Sequence, residues 1–256
     1  MSNILSTVIS PAAFWKPEWT VRSAWLGHAP FAFWLIEEHR PDVLFELGTH
    51  LGFSYFAFCQ AVEKLRLPTR CCAVDTWLGD AHAGFYGDEV FKKVSDHNQK
   101  EYADFSRLSR LSFADAAGGV ADGTIDLLHI DGRHRYEDVR QDFELWQPKL
   151  SSRALVLFHD TQVKRDDFGV FKFWNEIKQD RPHFEFTHGF GLGVLAVGSN
   201  LSEPVKALFA ATSNEKDTHI IRSVYERLGG GIADGWDLFE TRHTLAKLKN
   251  QPGNTN

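Results

Sequence analysis

The sequence lacks four features that would each place it in a different class of protein. No apolar run approaches about 18 residues, so we expect no membrane span. The 256 residues include only 3 cysteines, too few for a disulfide framework, which favours a reducing compartment. Acidic residues outnumber basic ones by 34 to 28, and the net charge of −6 predicts no nucleic-acid partner. The first residues also lack a basic stretch followed by an apolar core, so we expect no secretory signal and a cytoplasmic protein.

The composition is that of a folded domain. It is 43% hydrophobic and 24% charged, and the length suits one large α/β domain with a modest appendage. Aromatic residues make up 13% of the chain, which is enough to fill a core and to line a pocket.

The stretch 125–161 carries two apolar runs separated by a helical pattern. Tyr136, Val139, Phe143 and Trp146 recur at spacings of three and four, which predicts one apolar face of a helix. Strand, helix and strand of this length form a βαβ unit, so the two strands should be parallel neighbours. Their carboxyl ends then bring four polar side chains to one crevice, where open parallel sheets bind ligands. These side chains are Asp131, His134, His159 and Asp160.

A second strand–turn–helix pattern lies upstream. The apolar run Val43–Leu47 leads into a turn with Gly48 and Gly52, and a helix-patterned segment follows. This order is typical of the phosphate- or nucleoside-binding corner of a Rossmann-like sheet. Asp75 ends the next strand, where a carboxylate can accept both hydroxyl protons of a ribose.

The segments around this sheet predict three further features. Residues 1–40 read as a helical cap, in which Trp25 and His28 are the side chains expected to approach the site. The loop 79–87 is glycine-rich and follows a strand, so it could be a lid with Asp80, His82 and Tyr86, or simply a structural loop. Residues 88–105 are expected to be helical, with the third strand within 105–111 and Ser112 and Phe113 at its end.

The last third of the chain predicts a hairpin and a helical extension. Two apolar runs within 184–197 flank a glycine-rich turn, so the sheet should close with an antiparallel strand. Residues 203–248 read as helical, with a break at residues 229–231, and could serve as an oligomerisation element or the start of a linker. We therefore predict a Rossmann-like α/β fold with a mostly parallel seven-stranded sheet and helices on both faces. Its expected divisions are a cap over 1–40, a cofactor-binding domain over 41–200 and an extension over 201–256.

Taken together, the glycine turn, Asp75 and the closing hairpin resemble class I S-adenosylmethionine-dependent methyltransferases. The elements Asp131-Gly-Arg-His134 and His159-Asp160 resemble those of the subgroup that methylates hydroxyls of sugars and small molecules. The resemblance covers about residues 40–200 and implies S-adenosylmethionine as the cofactor. It implies that Glu46, Gly48 and Gly52 border the methionine part, that Asp75 holds the ribose, and that Ser112 and Phe113 border the adenine. The full set of cofactor residues that we predict is Glu46, Gly48, Thr49, Gly52, Asp75, Thr76, Ser112 and Phe113.

The resemblance also implies a metal and a base. Metal-dependent members hold magnesium with an acid after the fourth strand and two groups after the fifth, which correspond to Asp131, His159 and Asp160. A histidine three residues after the first acid serves as base in related enzymes, and that position is His134. The sequence departs from the pattern at His159, where the family usually has Asp, Glu or Asn. Imidazole suits manganese, zinc or iron better than magnesium, so the metal differs, or His159 is a supporting or catalytic group, or no metal binds.

The predicted reaction is methyl transfer to a hydroxyl of a sugar, glycan or natural product. Such a hydroxyl is a weak nucleophile and needs a base or a cation beside it. The catalytic residues that we predict are His134, Asp131 and His159, and the protein could be a homo-oligomer.

Other classes of function stay open at this stage. A nicotinamide oxidoreductase is disfavoured, because the turn lacks the Gly-x-Gly-x-x-Gly spacing and Glu46 would crowd a pyrophosphate. A metal-dependent hydroxylase could use Asp131, His134 and His159 as a two-histidine, one-carboxylate site. A non-catalytic cofactor-binding or glycan-binding module is the third alternative.

Overall fold

Seven strands form one twisted sheet in the computed structural model, which describes residues 4–80, 84–165 and 167–249. In chain order the strands are β1 Val43–Leu47, β2 Arg70–Val74, β3 Ser106–Ser109, β4 Ile125–Ile130, β5 Leu150–His159, β6 His183–Phe186 and β7 Leu192–Ala196. Across the sheet their order is β3-β2-β1-β4-β5-β7-β6. The contacts from β3 to β5 are parallel, and β7 runs antiparallel to both β5 and β6. The predicted mostly parallel sheet with an antiparallel closing strand is confirmed.

Helices cover both faces of the sheet. They are α1 Leu5–Val8, α2 Ala29–His39, α3 Phe53–Lys64, α4 Asp88–Glu101, α5 Phe113–Ala117, α6 Tyr136–Trp146, α7 Val170–Ile177, α8 Glu203–Ala210 and α9 Glu215–Lys249. Short 3-10 turns lie at Pro11–Phe14, Leu26–His28, Gln147–Lys149 and Ala211–Ser213, and a two-residue ribbon pairs Gly79–Asp80 with Gly84–Phe85. No helix within the described ranges is long and apolar enough to cross a bilayer.

Successive residues of the central strands alternate between two hydrophobic cores. Leu155 and Leu157 of β5 pack with α2, α3 and α9, whereas Val156 and Phe158 pack with α6 and α7. This two-residue period is that of a strand buried on both faces. The predicted N-terminal cap shares the first core with the sheet and α9: the Tyr225 hydroxyl donates a hydrogen bond to the Val8 carbonyl at 2.7 Å. The domain boundaries at residues 40 and 200 stay predictions.

The expected break at residues 229–231 is wrong, because α9 runs through it without interruption. Gly229 is buried against the backbone of Gly27, and a Cβ at Gly229 would lie 1.9 Å from the Gly27 carbonyl oxygen. Glycine therefore permits a close approach between the helix and the N-terminal segment. Tertiary packing outweighs the weak helix propensity of the three glycines.

Two boundaries near the third strand also differ from expectation. The helix predicted over 88–105 ends at Glu101, and Ser112 and Phe113 begin α5 rather than following a strand directly. The Ser112 hydroxyl accepts the Asp115 backbone N–H at 3.1 Å, so it caps the helix N-terminus.

Candidate active site

The carboxyl ends of β1, β2, β4 and β5 surround two adjoining cavities. The first, the Asp75 cavity, has a volume of about 310 Å³ and lies between the ends of β1 and β2 and the start of α6. The second, the Trp25 cavity, has about 270 Å³ and lies between the N-terminal segment and the end of β5. Gly48, His50, Asp131 and His134 line both cavities, so the two meet at these residues.

Asp75 organises the glycine turn. One of its carboxylate oxygens, Oδ2, accepts the backbone N–H groups of Thr49 and His50 at 2.8 and 2.9 Å. The other, Oδ1, accepts the Trp77 N–H at 2.7 Å. Asp75 is buried but still lines the first cavity. Its carboxylate therefore fixes the turn as well as facing any ligand there.

Gly48 brings β1 and the loop after β4 into direct backbone contact. Its φ of +88° lies in the left-handed region, and a Cβ at this position would lie 2.1 Å from the Asp131 carbonyl oxygen. The Asp131 N–H donates to the Leu47 carbonyl at 2.8 Å, which holds the two segments together. Only glycine satisfies both the dihedral and the close approach.

Most of the predicted cofactor residues lie together on the Asp75 cavity. Its lining includes Gly48, Asp75, Thr76, Ser112 and Phe113. Thr49 lines the Trp25 cavity instead. Glu46 is fully buried below the turn, and Gly52 precedes α3 with a φ of +80°; neither is among the residues that line these two cavities. That Glu46 and Gly52 border the cofactor stays a prediction.

The four predicted acid and imidazole groups form one cluster between the cavities. Nε2 of His134 lies 3.0 Å from Oδ2 of Asp160 and 3.8 Å from Oδ1 of Asp131. Nδ1 of His159 lies 3.4 Å from both of these carboxylate oxygens. The four side chains that the βαβ pattern predicted to be neighbours thus lie together, and their catalytic roles stay predictions.

The charges of the cluster stabilise one another. Burial opposes protonation of His134, but hydrogen bonds and attraction from Asp131 and Asp160 outweigh it and raise its pKa to about 9. The same carboxylates outweigh burial at His159 and raise its pKa well above the usual value. Burial would raise the pKa of Asp160, yet the charge of His159 and the bonds from both imidazoles lower it to about 2. The pKa of Asp131 is likewise lowered despite burial.

Backbone contacts orient the two imidazoles. Nε2 of His159 donates to the Gly189 carbonyl at 3.0 Å, which leaves Nδ1 facing the carboxylates. The ring of His134 stacks on the ring of Phe168, with 4.6 Å between their centroids and an interplanar angle of 8°. The backbone carbonyl of His134 accepts the Gly169 N–H at 2.7 Å. Asp160 has a φ of +62°, a conformation that is uncommon outside glycine and that turns the chain sharply at the end of β5.

One set of donor atoms in the cluster has metal-ligand spacing. Asp131, His134 and Asp160 each offer one atom, and these atoms lie within 4.8 Å of one another. Two carboxylate oxygens and one imidazole nitrogen suit manganese or zinc as well as magnesium. His134 completes this set, while Nδ1 of His159 faces the same two carboxylates and its Nε2 donates to Gly189, as the second nitrogen of a ligating histidine commonly does. The predicted ligand role of His159 stays untested.

Aromatic side chains line the Trp25 cavity. They are Trp25, Phe53, Phe168 and Phe190. His28, the other N-terminal residue expected near the site, is fully buried. Its Nε2 donates at 3.1 Å to the same Gly189 carbonyl that accepts from His159. Of the proposed lid, Tyr86 lines the Asp75 cavity, residues 81–83 fall outside the described ranges, and the Asp80 side chain is not described.

Sequence reasoning missed the α6 side of the Asp75 cavity. Asp138, Gln141 and Asp142 line it together with Arg133. Burial, with the nearby charge of Asp138, raises the pKa of Asp142 to about 7. The sequence pattern that could have indicated this side is the pair of acids four residues apart on the first turns of α6, since residues at that spacing lie on the same face of a helix.

Comparisons with known proteins agree with this architecture. Residues 45–161 match the family model of a methyltransferase domain. TomG of Streptomyces achromogenes, an O-methyltransferase involved in tomaymycin synthesis and solved with S-adenosylmethionine, superposes with a TM-score of 0.51 at 14% identity, covering 77% of this chain and 91% of that one. Cofactor-bound Rv0187 from MTB gives a TM-score of 0.53 at 14% identity, covering 77% and 88%.

A curated relative is more similar in sequence. The uncharacterized protein y4gI of Sinorhizobium fredii (strain NBRC 101917 / NGR234) is 50% identical over 206 residues, which are 80% of this chain and 22% of that protein. The chain thus spans about a fifth of the length of this relative.

The strand order, the glycine turn followed by Asp75, and the paired cavities define a Rossmann-like fold of the class I methyltransferase type. Residues 45–161 are in addition similar to methyltransferase domains, as the family match shows.

Proposed function

We propose that this protein transfers the methyl group of S-adenosylmethionine to a hydroxyl of a small-molecule acceptor. The observation that carries the proposal is the junction of the two cavities at Gly48, Asp131 and His134. The cofactor would occupy the Asp75 cavity, with its adenine toward Phe113 and its sulfonium near Gly48. The acceptor would occupy the Trp25 cavity. A methyl group passing between them crosses the acid and imidazole cluster.

His134 is the residue we assign as general base. The acceptor oxygen attacks the methyl carbon, the carbon–sulfur bond breaks, S-adenosylhomocysteine leaves, and the hydroxyl proton passes to the imidazole of His134. Asp160, 3.0 Å away, stabilises the imidazolium that forms. Because its pKa is raised to about 9, His134 is mostly protonated at pH 7, so we expect turnover to rise with pH.

The donor set of Asp131, Asp160 and His134 also fits a divalent cation. When bound, such an ion would lower the pKa of the acceptor hydroxyl and offset the two carboxylates. An imidazole nitrogen of His134 that binds the ion cannot also take the proton. Full activity in a chelator would therefore support His134 as base, whereas loss of activity that manganese or magnesium restores would support His134 as ligand.

The acceptor class follows from the walls of the Trp25 cavity. Aromatic faces pack against sugar rings and flat phenols alike. We propose a sugar, glycan or natural-product acceptor with a free hydroxyl, and the role of TomG in the synthesis of a natural product is consistent with this.

Binding and turnover test the function separately. Calorimetric titration with S-adenosylhomocysteine should show one site per chain, and S-adenosylmethionine with a labelled methyl group should label at least one member of a panel of sugars and phenols. Tight NADH binding without S-adenosylhomocysteine binding would refute the cofactor. Cofactor binding with no transfer to any acceptor would instead support a non-catalytic module.

A further inference from the structure

A chain of three buried polar side chains links the N-terminal segment to the centre of the sheet. Trp25 lies in the N-terminal segment, His129 on β4 and Glu46 on the adjacent strand β1. Nε1 of Trp25 donates to Nε2 of His129 at 3.2 Å, and Nδ1 of His129 lies 2.8 Å from Oε2 of Glu46. His129 and Glu46 are fully buried, and Trp25 is 1% exposed.

The partners dictate the tautomer of His129. An indole nitrogen can only donate a hydrogen bond, so Nε2 of His129 must accept from Trp25. Nδ1 must then carry the proton, and this N–H donates a hydrogen bond to the carboxylate of Glu46. Glu46 is thus required as an acceptor, because without it the proton can move to Nε2 and face the Trp25 N–H.

Trp25 is the end of this chain that reaches the site. Its side chain lines the Trp25 cavity, and its ring centroid lies 6.4 Å from that of His159 in the acid and imidazole cluster. On its other sides it meets the edges or faces of Phe58 and His129 at 5.5 and 5.1 Å. The indole therefore lies between the buried pair of His129 and Glu46 and the acid and imidazole cluster.

We propose that Glu46 and His129 are positioning residues that fix the Trp25 indole as one wall of the acceptor pocket. The inference rests on the proposed function in one respect, since it takes the Trp25 cavity as the place of the acceptor. Glu46 lies two residues before Gly48, and His129 two residues before Asp131. The wall is thus tied to the same two strands that carry the methyl-transfer junction.

Packing alone does not explain these side chains. A buried glutamate and histidine are costly to desolvate, and apolar residues of similar size would fill the same volume. The two hydrogen bonds add direction, because they hold the indole at one angle. A displacement of about 1 Å in a group that orients a substrate can slow a reaction by about 10²-fold.

Three variants separate this role from simple space filling. Trp25→Phe removes the donor and keeps a ring, Glu46→Leu removes the acceptor, and Glu46→Gln is the matched control because its amide oxygen can still accept the His129 proton. The readout is solvent exchange of the Trp25 indole N–H in the ¹⁵N-labelled full chain, assigned by the signal that Trp25→Phe deletes. We expect exchange roughly 10-fold faster in Glu46→Leu, as for the loss of one hydrogen bond, and near wild type in Glu46→Gln. Equal exchange rates in the wild type, Glu46→Leu and Glu46→Gln would overturn the proposal. Equally fast exchange in Glu46→Leu and Glu46→Gln would overturn it as well.

A measurement on the unmodified protein keeps the test decisive if Glu46→Leu does not fold. The ¹⁵N spectrum of the imidazole rings should show His129 as the Nδ1–H tautomer, identified by the signal lost in His129→Gln; the Nε2–H tautomer would contradict the inference. Kinetics give a further test with an acceptor from the panel above. Trp25→Phe should raise the KM for the acceptor about 10-fold with little change in the KM for S-adenosylmethionine. An equal rise in the two KM values would count against the proposal. Titration of the wild type with S-adenosylhomocysteine is independent of these results, so failure of the proposed function would be seen separately.

Discussion

Replacing Gly48 with alanine should damage the site through one backbone contact. The added Cβ would lie 2.1 Å from the Asp131 carbonyl oxygen, and φ at this position is +88°. A left-handed alanine costs about 1–2 kcal/mol relative to glycine. Relieving the overlap must move the turn or the Asp131 loop by roughly 1 Å, which adds about 1–3 kcal/mol by analogy with overpacked cores. We expect the free energy of unfolding to fall by about 2–5 kcal/mol.

Gly123 provides the matched control for this substitution. Its φ is +69°, but a Cβ there would meet nothing within 4 Å. Gly123→Ala therefore carries the dihedral cost without the overlap. Urea unfolding followed by circular dichroism gives the two free energies, and titration with S-adenosylhomocysteine gives the affinities. We expect Gly48→Ala alone to lose affinity, by about tenfold or more, because Gly48 lines both cavities. If both variants lose the same free energy of unfolding within about 0.5 kcal/mol and keep wild-type affinity, the close approach is not what requires glycine.

Three further predictions concern single polar side chains. Asp75→Asn should weaken S-adenosylhomocysteine binding and lower the free energy of unfolding by about 1–3 kcal/mol, because an amide nitrogen cannot accept the N–H groups that the carboxylate accepts. If neither the calorimetric affinity nor the free energy of unfolding changes, Asp75 neither binds the cofactor nor fixes the turn. His134→Gln, which keeps a polar group of similar reach but takes no proton, should lower turnover by about 10²–10⁴-fold in a methyl-transfer assay, and a near-wild-type rate would exclude it as the base. Burial, followed by the charge of His159, holds the pKa of His28 well below its usual value, so the unfolded chain alone takes up a proton there as the pH falls below about 6.5. Stability contributed by neutral His28 is thus present above that pH and lost below it, and the loss between pH 7.5 and 5.5 should be smaller in His28→Gln; an identical loss in both proteins would refute this.

The order of elements could be predicted because local patterns report burial. Alternating apolar runs and the three-to-four spacing on α6 gave the βαβ unit, and parallel strands place their carboxyl ends at one edge. Asp131, His134, His159 and Asp160 were therefore grouped correctly from sequence position. Gly48 and Asp75 were placed at the same edge, because they too follow the carboxyl ends of predicted strands.

Only the tertiary structure decided which atoms meet and which residues pack behind them. The sequence could not show that Asp75 accepts the backbone N–H groups of Thr49 and His50, since these donors become its neighbours only when β1 lies beside β2. It suggested a break at residues 229–231, because propensity is local, whereas the approach of Gly229 to Gly27 joins positions about 200 residues apart.

The contrast is sharpest at Glu46 and His129. From the sequence alone, Glu46 is expected to border the methionine part of the cofactor. Paired across β1 and β4, with Trp25 brought from the N-terminal segment, Glu46 and His129 form one hydrogen-bonded chain. The sequence by itself determined the fold and the grouping of the acid and imidazole side chains, because both follow from local periodicity. The roles of individual side chains depended on long-range contacts, which no local pattern encodes.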